Sequence, residues 1–342
     1  MMLKTLFMSS ALIAATATTA AAQQLSVVCS SEQDHCDLVA NEFRAASGAD
    51  ISLIRKSTGE TLAQIRAESG NPKIDVWFAG TGDPHMIAAE ENLTEASGAD
   101  TTNLLGWAKN MAEITDGKAI GVYAGALGIG YNAELLKEKG LKAPACWKDL
   151  ADPAYRGEIQ VSNPNSSGTA YTEIATLVQL FGEDEAFRLL AEIGKNVNQY
   201  TKSGSAPVKA AARGESVFAI GFMANMVQQK NSGFPLEIVA PCEGTGYEVG
   251  AVSMVKGTKN TATAKRFIDF VLSPDGQKLG AQAQSYQTPS NLNTPVPPEV
   301  GNLSSVKLID YDFATYGSSK TREKLLARWD AEVKSAGGAI EQ

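Results

Sequence analysis

Residues 122–136 read VYAGALGIGYNAELL. Gly125, Gly128 and Gly130 interrupt an apolar run, and glycine inside a strand marks a bend or a close backbone approach. A second run of the same kind, YEVGAVSMVKG, stands at 247–257. Between the two the chain has its own alternation: EIQVSN, a helix after residue 166, then DEAFRLLAEIGKN, SGSAPVKAAARGE, SVFAIGF and LEIVAP. Upstream, LSVVC (25–29), DISLIRK (50–56) and IDVWFAG (74–80) read as strands, each followed by a polar turn and a helix. Such alternation builds βαβ units and mostly parallel sheet. The two glycine-broken strands then read as paired crossings between two α/β lobes. Residues 23–125 and 254–300 are expected to form lobe 1, and 126–253 lobe 2. TPSNLNTPVPPEVGN (288–302) reads as a Pro-rich surface loop, and 301–342 as a C-terminal helical segment packing on the lobes.

Length supports two lobes. MMLKTLFMSSALIAATATTAAA (1–22) carries a basic n-region at Lys4, an apolar h-region and a small-residue cleavage site ending at Ala22. Its apolar core is shorter than the roughly 20 residues of a transmembrane helix, and no cysteine follows the site to take a lipid. Removal leaves 320 of 342 residues, beyond the ~250–300 at which one core stops growing. An exported protein is expected. The net charge of −8, or −9 without Lys4, argues against a nucleic-acid partner, which needs a basic surface.

Cys29, Cys36, Cys146 and Cys242 all lie in the exported part. An even number in an oxidising compartment predicts two disulfides, with three possible pairings. The favoured one is a local Cys29–Cys36 loop with a long-range Cys146–Cys242 staple. A metal site is the alternative, but CSSEQDHC lacks a CxxC knuckle.

In open α/β sheets ligands sit beyond the carboxyl ends of the strands. The loops there are Ser30-Ser31, Ser57-Thr58-Gly59, Gly80-Thr81-Gly82-Asp83, Asn165-Ser166-Ser167-Gly168-Thr169 and Ser203-Gly204-Ser205. Each admits an ordinary reading. STGE is a capping box, Asp83-Pro84 an N-cap with proline at the first helical position, and Ser166 or Ser167 caps the helix carrying Ile174, Leu177, Val178 and Phe181. The other reading is a seat for an anion, because free N–H groups and the helix dipole hold phosphate without a lysine cluster. Lys56 or Lys202 could assist. His85, in the first turn after Asp83, either reaches the cleft or serves as a cap. In CEGTGYE (242–248), Glu243, Tyr247 and Glu248 either touch ligand at the second crossing or belong to a plain turn. With only His35 and His85 in the chain, no Ser-His-Asp arrangement can be assembled. GALGIG lacks the lysine of a phosphate-binding P-loop.

STGETLAQI, WFAGTGDPH, NPNSSGTAY, KAAARGE, PCEGTGYE and FIDFVLSPDGQ, with the signal segment and the two crossings, resemble periplasmic solute-binding proteins of bacterial ABC importers. The branch is the ferric-binding-protein-like one, and within it the sugar-phosphate-binding group. The likeness covers essentially the whole mature chain. It implies a type II periplasmic binding protein, α/β and two-lobed, each lobe a mostly parallel sheet flanked by helices, the two joined by crossing strands. Ferric members hold iron through adjacent tyrosines; this chain has no Tyr-Tyr, and GFMANMVQQK (221–230) stands where that pair is sought. The sugar-phosphate group would place a His-Asp pair near 224 and 225, where this chain has Ala224 and Asn225. The phosphate cradle matches and the sugar end departs.

The expectation is a periplasmic receptor, working as a monomer, that traps a small phosphorylated organic compound and delivers it to an ABC permease and its ATPase. Phosphate is assigned to Ser57, Thr58, Gly59 and Thr81 from lobe 1, and to Ser166, Ser167, Gly168, Thr169, Ser203, Gly204 and Ser205 from lobe 2. The rest of the ligand is assigned to Ser31, Asp83, His85, Asn225, Glu243 and Tyr247. No catalytic residue, metal or cofactor is expected. The alternatives are a receptor for ferric iron or its chelate, and an enzyme acting on phosphate esters.

Overall fold

The computed structural model describes residues 24–300, 306–334 and the backbone of 340–341; the signal segment at 1–22 lies outside the described residues. The chain begins with β1 (Leu25–Cys29), α1 (Gln33–Ser47), β2 (Ile51–Arg55), α2 (Thr58–Ala67), β3 (Val76–Thr81) and α3 (Gly82–Glu90). After β4 (Thr94–Glu95) and α4 (Gly106–Ile114) comes the long β5 (Ile120–Asn132), then α5 (Ala133–Glu138). The middle contains β6 (Ile159–Ser162), α6 (Gly168–Phe181), α7 (Glu183–Gly194), β7 (Val197–Thr201), α8 (Ala206–Ala212), β8 (Phe218–Phe222), α9 (Met223–Asn231) and β9 (Leu236–Val239). It is followed by β10 (Tyr247–Val255), α10 (Thr261–Leu272), α11 (Pro274–Gln282), β11 (Thr288–Pro289), α12 (Phe313–Tyr316), α13 (Ser319–Trp329) and β12 (Ile340–Glu341).

Two sheets result. In the first, β1 lies between parallel β2 and β3. In the second, β6 lies between parallel β7 and β8. Each has its own core: Phe43, Phe78 and Phe267 meet edge-on in the first at ring separations of 5.1 and 5.8 Å, whereas Trp147, Tyr171, Phe187 and Phe218 fill the second. These apolar interiors drive the separation into lobes, each large aromatic removing about 150–250 Å² from water.

The strand read first as a crossing is one. β5 pairs with β10 up to Ala126 and with β8 from Leu127 onward, so it passes from one sheet into the other. The second crossing lies earlier than the sequence suggested. Tyr247–Val252 pair with β5 and Val252–Met254 with β3, which places 247–253 in the first sheet, because a strand extending an existing ladder satisfies its backbone groups there. The passage between lobes occurs just upstream, where Thr245 donates its N–H to Lys307 O at 2.9 Å and accepts from Ile309 N–H at 2.9 Å. Segment 307–309 is therefore a third strap beside the first two. Beyond it, α13 buries Leu325 and Trp329 in the second core, with Trp329 edge-on to Tyr200 at 5.2 Å.

Both disulfides of the favoured pairing are formed, Cys29–Cys36 and Cys146–Cys242. Among the described residues no helix is long and apolar enough to cross a membrane.

Candidate functional site

The carboxyl ends of the first-sheet strands deliver Ser30, Ser31 and Glu32 after β1, Arg55 at the end of β2 with Ser57 and Thr58 just beyond it, and Gly80 and Thr81 at the end of β3 to one cleft. The second lobe faces them with Ser167, Gly168 and Thr169 at the start of α6, Gly204 and Ser205 ahead of α8, and Phe222 and Asn225. Tyr123, Glu248 and Gln287 complete the wall. With the two lobes in contact, the space left between these walls is small, about 60 Å³, below the ~300–1,000 Å³ of drug-sized sites.

The lobes touch directly along one seam. Gly168 N–H donates to Thr58 Oγ1 at 2.9 Å and Gly59 N–H to Ser166 O at 3.0 Å. Ser57 Oγ donates to Lys202 O at 3.2 Å, and Arg55 Nη2 to Ser203 Oγ at 3.0 Å. Gly59, Ser166 and Ser203 thus sit in the seam, outside the cleft lining, while Ser57, Thr58, Thr81, Ser167, Gly168, Thr169, Gly204, Ser205, Ser31 and Asn225 do line it.

Four expected contacts lie elsewhere. His85 is stacked on Trp77 at 3.7 Å, its Nδ1 2.8 Å from Ser253 Oγ and its Nε2 3.2 Å from Ala79 O. Burial pushes its pKa down to about 3, so it is a neutral core histidine. Asp83 is buried near Arg322 and Tyr311. The Glu243 carboxylate accepts from Trp147 N–H at 2.8 Å and Lys148 N–H at 3.2 Å, capping the short turn Trp147–Ala151. Tyr247 packs its ring against Phe313 at 5.3 Å. In each case packing or capping satisfies the side chain away from the ligand space.

The charge in the cleft comes from a residue the sequence reading passed over. Lys56 turns its Nζ to Gln64 Oε1 at 2.5 Å and does not line the cleft, and neither does Lys202. Arg55 is the one basic side chain in the lining, its Nε bonded to Ser31 O at 3.1 Å. Glu32 stands close by. Burial pushes its carboxyl up, but the Lys209 ammonium at 2.5 Å, Ser205 and Arg55 outweigh that and bring it below the usual value. Asn225 Nδ2 also donates to Glu32 at 3.3 Å, so the acid is clasped by the opposite lobe. Tyr123 accepts from Gly80 N–H at 2.8 Å, and burial keeps its hydroxyl protonated. Burial pushes Glu248 up to about 8 against a hydrogen bond from Gln287, which leaves a neutral carboxyl in the wall.

Among the described residues, Glu248 is one of three buried carboxyls with raised values. Burial takes Glu173 to about 8, and Asp83 to about 7 despite the opposing Arg322. In the unfolded chain such groups titrate near 4. From there up to about 8 the folded protein holds more protons than the unfolded chain, so stability falls as pH rises. The melting temperature of the ligand-free protein is expected to be several degrees lower at about pH 8.5 than at about pH 5.5. Calorimetry checks this, and Glu173→Gln should remove part of the difference.

The family model for bacterial extracellular solute-binding proteins matches residues 71–315. An uncharacterized protein of Haemophilus influenzae is 42% identical over 316 residues, 92% of this chain and 91% of that one. Among solved structures, the periplasmic binding protein AfuA of Actinobacillus pleuropneumoniae, with exogenous fructose-6-phosphate bound, is 43% identical with a TM-score of 0.89. The match covers 91% of this chain and 98% of that one. The periplasmic binding protein P5PA is 36% identical with a TM-score of 0.87, covering 91% and 99%. With two lobes, strap-like crossings and a donor-lined cleft between them, the chain belongs to the family of bacterial extracellular solute-binding proteins.

Proposed function

We propose that the protein is a periplasmic receptor that captures a small phosphorylated organic compound between its lobes and presents it to an ABC permease and its ATPase. One observation carries this reading: the N-termini of α2 and α6 and the hydroxyls of Ser31, Ser57, Thr58, Thr81, Ser167, Thr169 and Ser205 converge from opposite lobes on one space beside Arg55. Helix N-termini and neutral donors suit an anion, and a guanidinium binds phosphate as a planar fork. The donors belong to both lobes, so a phosphate makes contacts in the closed state that an open state lacks, and only such differential affinity shifts a hinge. The likeness to a protein solved with fructose-6-phosphate bound supports the ligand class. Asn225, Glu248 and Gln287 are assigned to the remainder of the ligand.

A thermal-shift panel of phosphorylated metabolites, including fructose 6-phosphate and an alkylphosphonate, tests the reading. Stabilisation is expected for at least one phosphorylated compound and for none of the unphosphorylated counterparts. Ser167→Ala with Thr169→Ala should weaken the best of them at least tenfold by calorimetry; an unchanged affinity refutes the cradle. Arg55→Ala should weaken it about 10- to 100-fold, since a charge-assisted hydrogen bond contributes ~1.5–3 kcal/mol. Capture of ferric iron would need anionic oxygen ligands, and the Phe222-Met223-Ala224-Asn225 run supplies none. Metal analysis with and without chelator distinguishes that case. Liberation of inorganic phosphate from any bound ester would instead mark an enzyme.

A further inference from the structure

Ser31 lies in the cleft wall immediately before α1, and His35 lies one turn into that helix. The His35 ring is buried, edge-on to Phe78 at 5.7 Å, with Nδ1 3.0 Å from Ser31 Oγ. The Cys29–Cys36 disulfide closes the short loop that contains both residues, so their relative position is held from two sides. Behind them is a second cavity, bordered by His35, Tyr123 and Gln287, so the Ser31–His35 pair forms part of the partition between the cleft and that space.

A serine hydroxyl has one proton. If His35 carried its hydrogen on Nε2, the bare Nδ1 would take the Ser31 proton, and Ser31 would offer an anion only lone pairs. If the hydrogen is on Nδ1, it donates to Ser31 Oγ and leaves the Ser31 O–H to donate on the cleft side, to an anion or, without one, to the Tyr123 hydroxyl bonded to Ser31 there. Burial disfavours the imidazolium and pushes the His35 pKa down to about 4, although the Glu32 charge opposes this, so the ring is neutral. Among the described residues Nε2 has no hydrogen-bond partner, so a hydrogen there would go unpaired, whereas one on Nδ1 meets Ser31 Oγ. We infer that His35 is a positioning residue, held as the Nδ1–H tautomer, which makes Ser31 an obligate hydrogen-bond donor to an anion in the cleft. The inference rests on the phosphate reading of that cleft.

Two experiments test it. Inorganic phosphate and fructose 6-phosphate are titrated by calorimetry into the wild type, Ser31→Ala, His35→Phe, His35→Asn and Ser31→Ala/His35→Phe. His35→Phe is expected to bind about tenfold more weakly, as does Ser31→Ala, each losing one hydrogen bond to a charged group. The double variant should be no weaker than either single one, because His35 acts through Ser31. His35→Asn, whose amide N–H can take the place of Nδ1–H, should recover binding to within about threefold. A wild-type affinity in His35→Phe, or a further loss of the same factor in the double variant, overturns the inference. Nitrogen-15 NMR of the imidazoles reads the tautomer directly, without ligand and with only His35 and His85 to assign. A protonated Nδ1 is expected at His35, and a protonated Nε2 with bare Nδ1 overturns the proposal. If the wild type binds neither probe, the same titrations use the phosphorylated compound that most stabilises the protein in the thermal-shift panel; if none does, the phosphate reading fails, while the tautomer still decides the role of His35.

Discussion

Gly59→Ala is expected to weaken ligand capture about a hundredfold while moving the melting temperature of the ligand-free protein by no more than about 2 °C. The site is unusual in combining a harmless local change with a severe remote one. Gly59 is in the first turn of α2, where alanine is the better helix former by roughly 0.5–1 kcal/mol. The new methyl carbon, however, would stand 2.4 Å from Asn165 O and 2.8 Å from Ser166 O, both backbone atoms of the other lobe. Backbone cannot rotate aside as a side chain can, so the lobes must separate by about an ångström or more. That also removes the Gly59 N–H to Ser166 O bond. Gly168→Ala attacks the same seam from the opposite side, its Cβ falling 1.8 Å from Thr81 Oγ1 and 2.5 Å from Thr58 Oγ1. Overpacking of this kind costs about 1–3 kcal/mol, and a lost cradle bond adds to it. Calorimetry with the best phosphorylated compound gives the affinity, and solution scattering should show a more open molecule. Tight binding by Gly59→Ala would mean that the seam is not part of the ligand-bound state.

The largest effect on stability is expected from Cys146→Ser with Cys242→Ser. That disulfide closes a loop spanning a sequence separation of 96, for which the chain-entropy estimate is about 4.7 kcal/mol. For a chain of this size the melting temperature should fall by roughly 10 °C. The bond also holds the neighbourhood in which Cys242 N–H donates to Ala145 O at 2.9 Å and Glu243 caps the turn at Trp147. These contacts loosen with it, at the base of the second crossing. Cys29→Ser with Cys36→Ser closes a far shorter loop, at a separation of 7, and should cost about half as much. Differential scanning calorimetry of the two pairs checks the order, and a larger loss from the short loop would contradict it.

Fold and site were legible to different depths because they are written in different alphabets. Glycine-broken apolar runs, strand–turn–helix alternation and length act through local periodicity, and the two-lobed architecture followed from them. The first crossing was read as a boundary between 125 and 126, and β5 changes partner between Ala126 and Leu127. The second was misplaced because nothing in YEVGAVSMVKG tells which ladder it extends; that depends on β3 and β5, far away in sequence. The hydroxyl-rich helix starts pointed to the cleft, since the carboxyl ends of parallel strands share one edge. Arg55 was overlooked in favour of Lys56 because adjacent strand residues face opposite ways, and only the register of β2 against β1 decides which enters the cleft. His85 and Asp83 failed as ligand contacts for a related reason. A polar residue in a first turn can be consumed by the core, and His85 is, between Trp77, Ser253 and Ala79 O.

The strap at 307–309, bonded on both sides of Thr245, has a mechanical meaning. Two strands alone leave a pair of lobes free to twist about the strands as well as to swing. A third, fastened alongside by two backbone hydrogen bonds at Thr245, opposes the twist and favours motion about one axis. The donors on the two walls then return to the same mutual register each time the molecule shuts, and recognition needs no search over torsional misalignments.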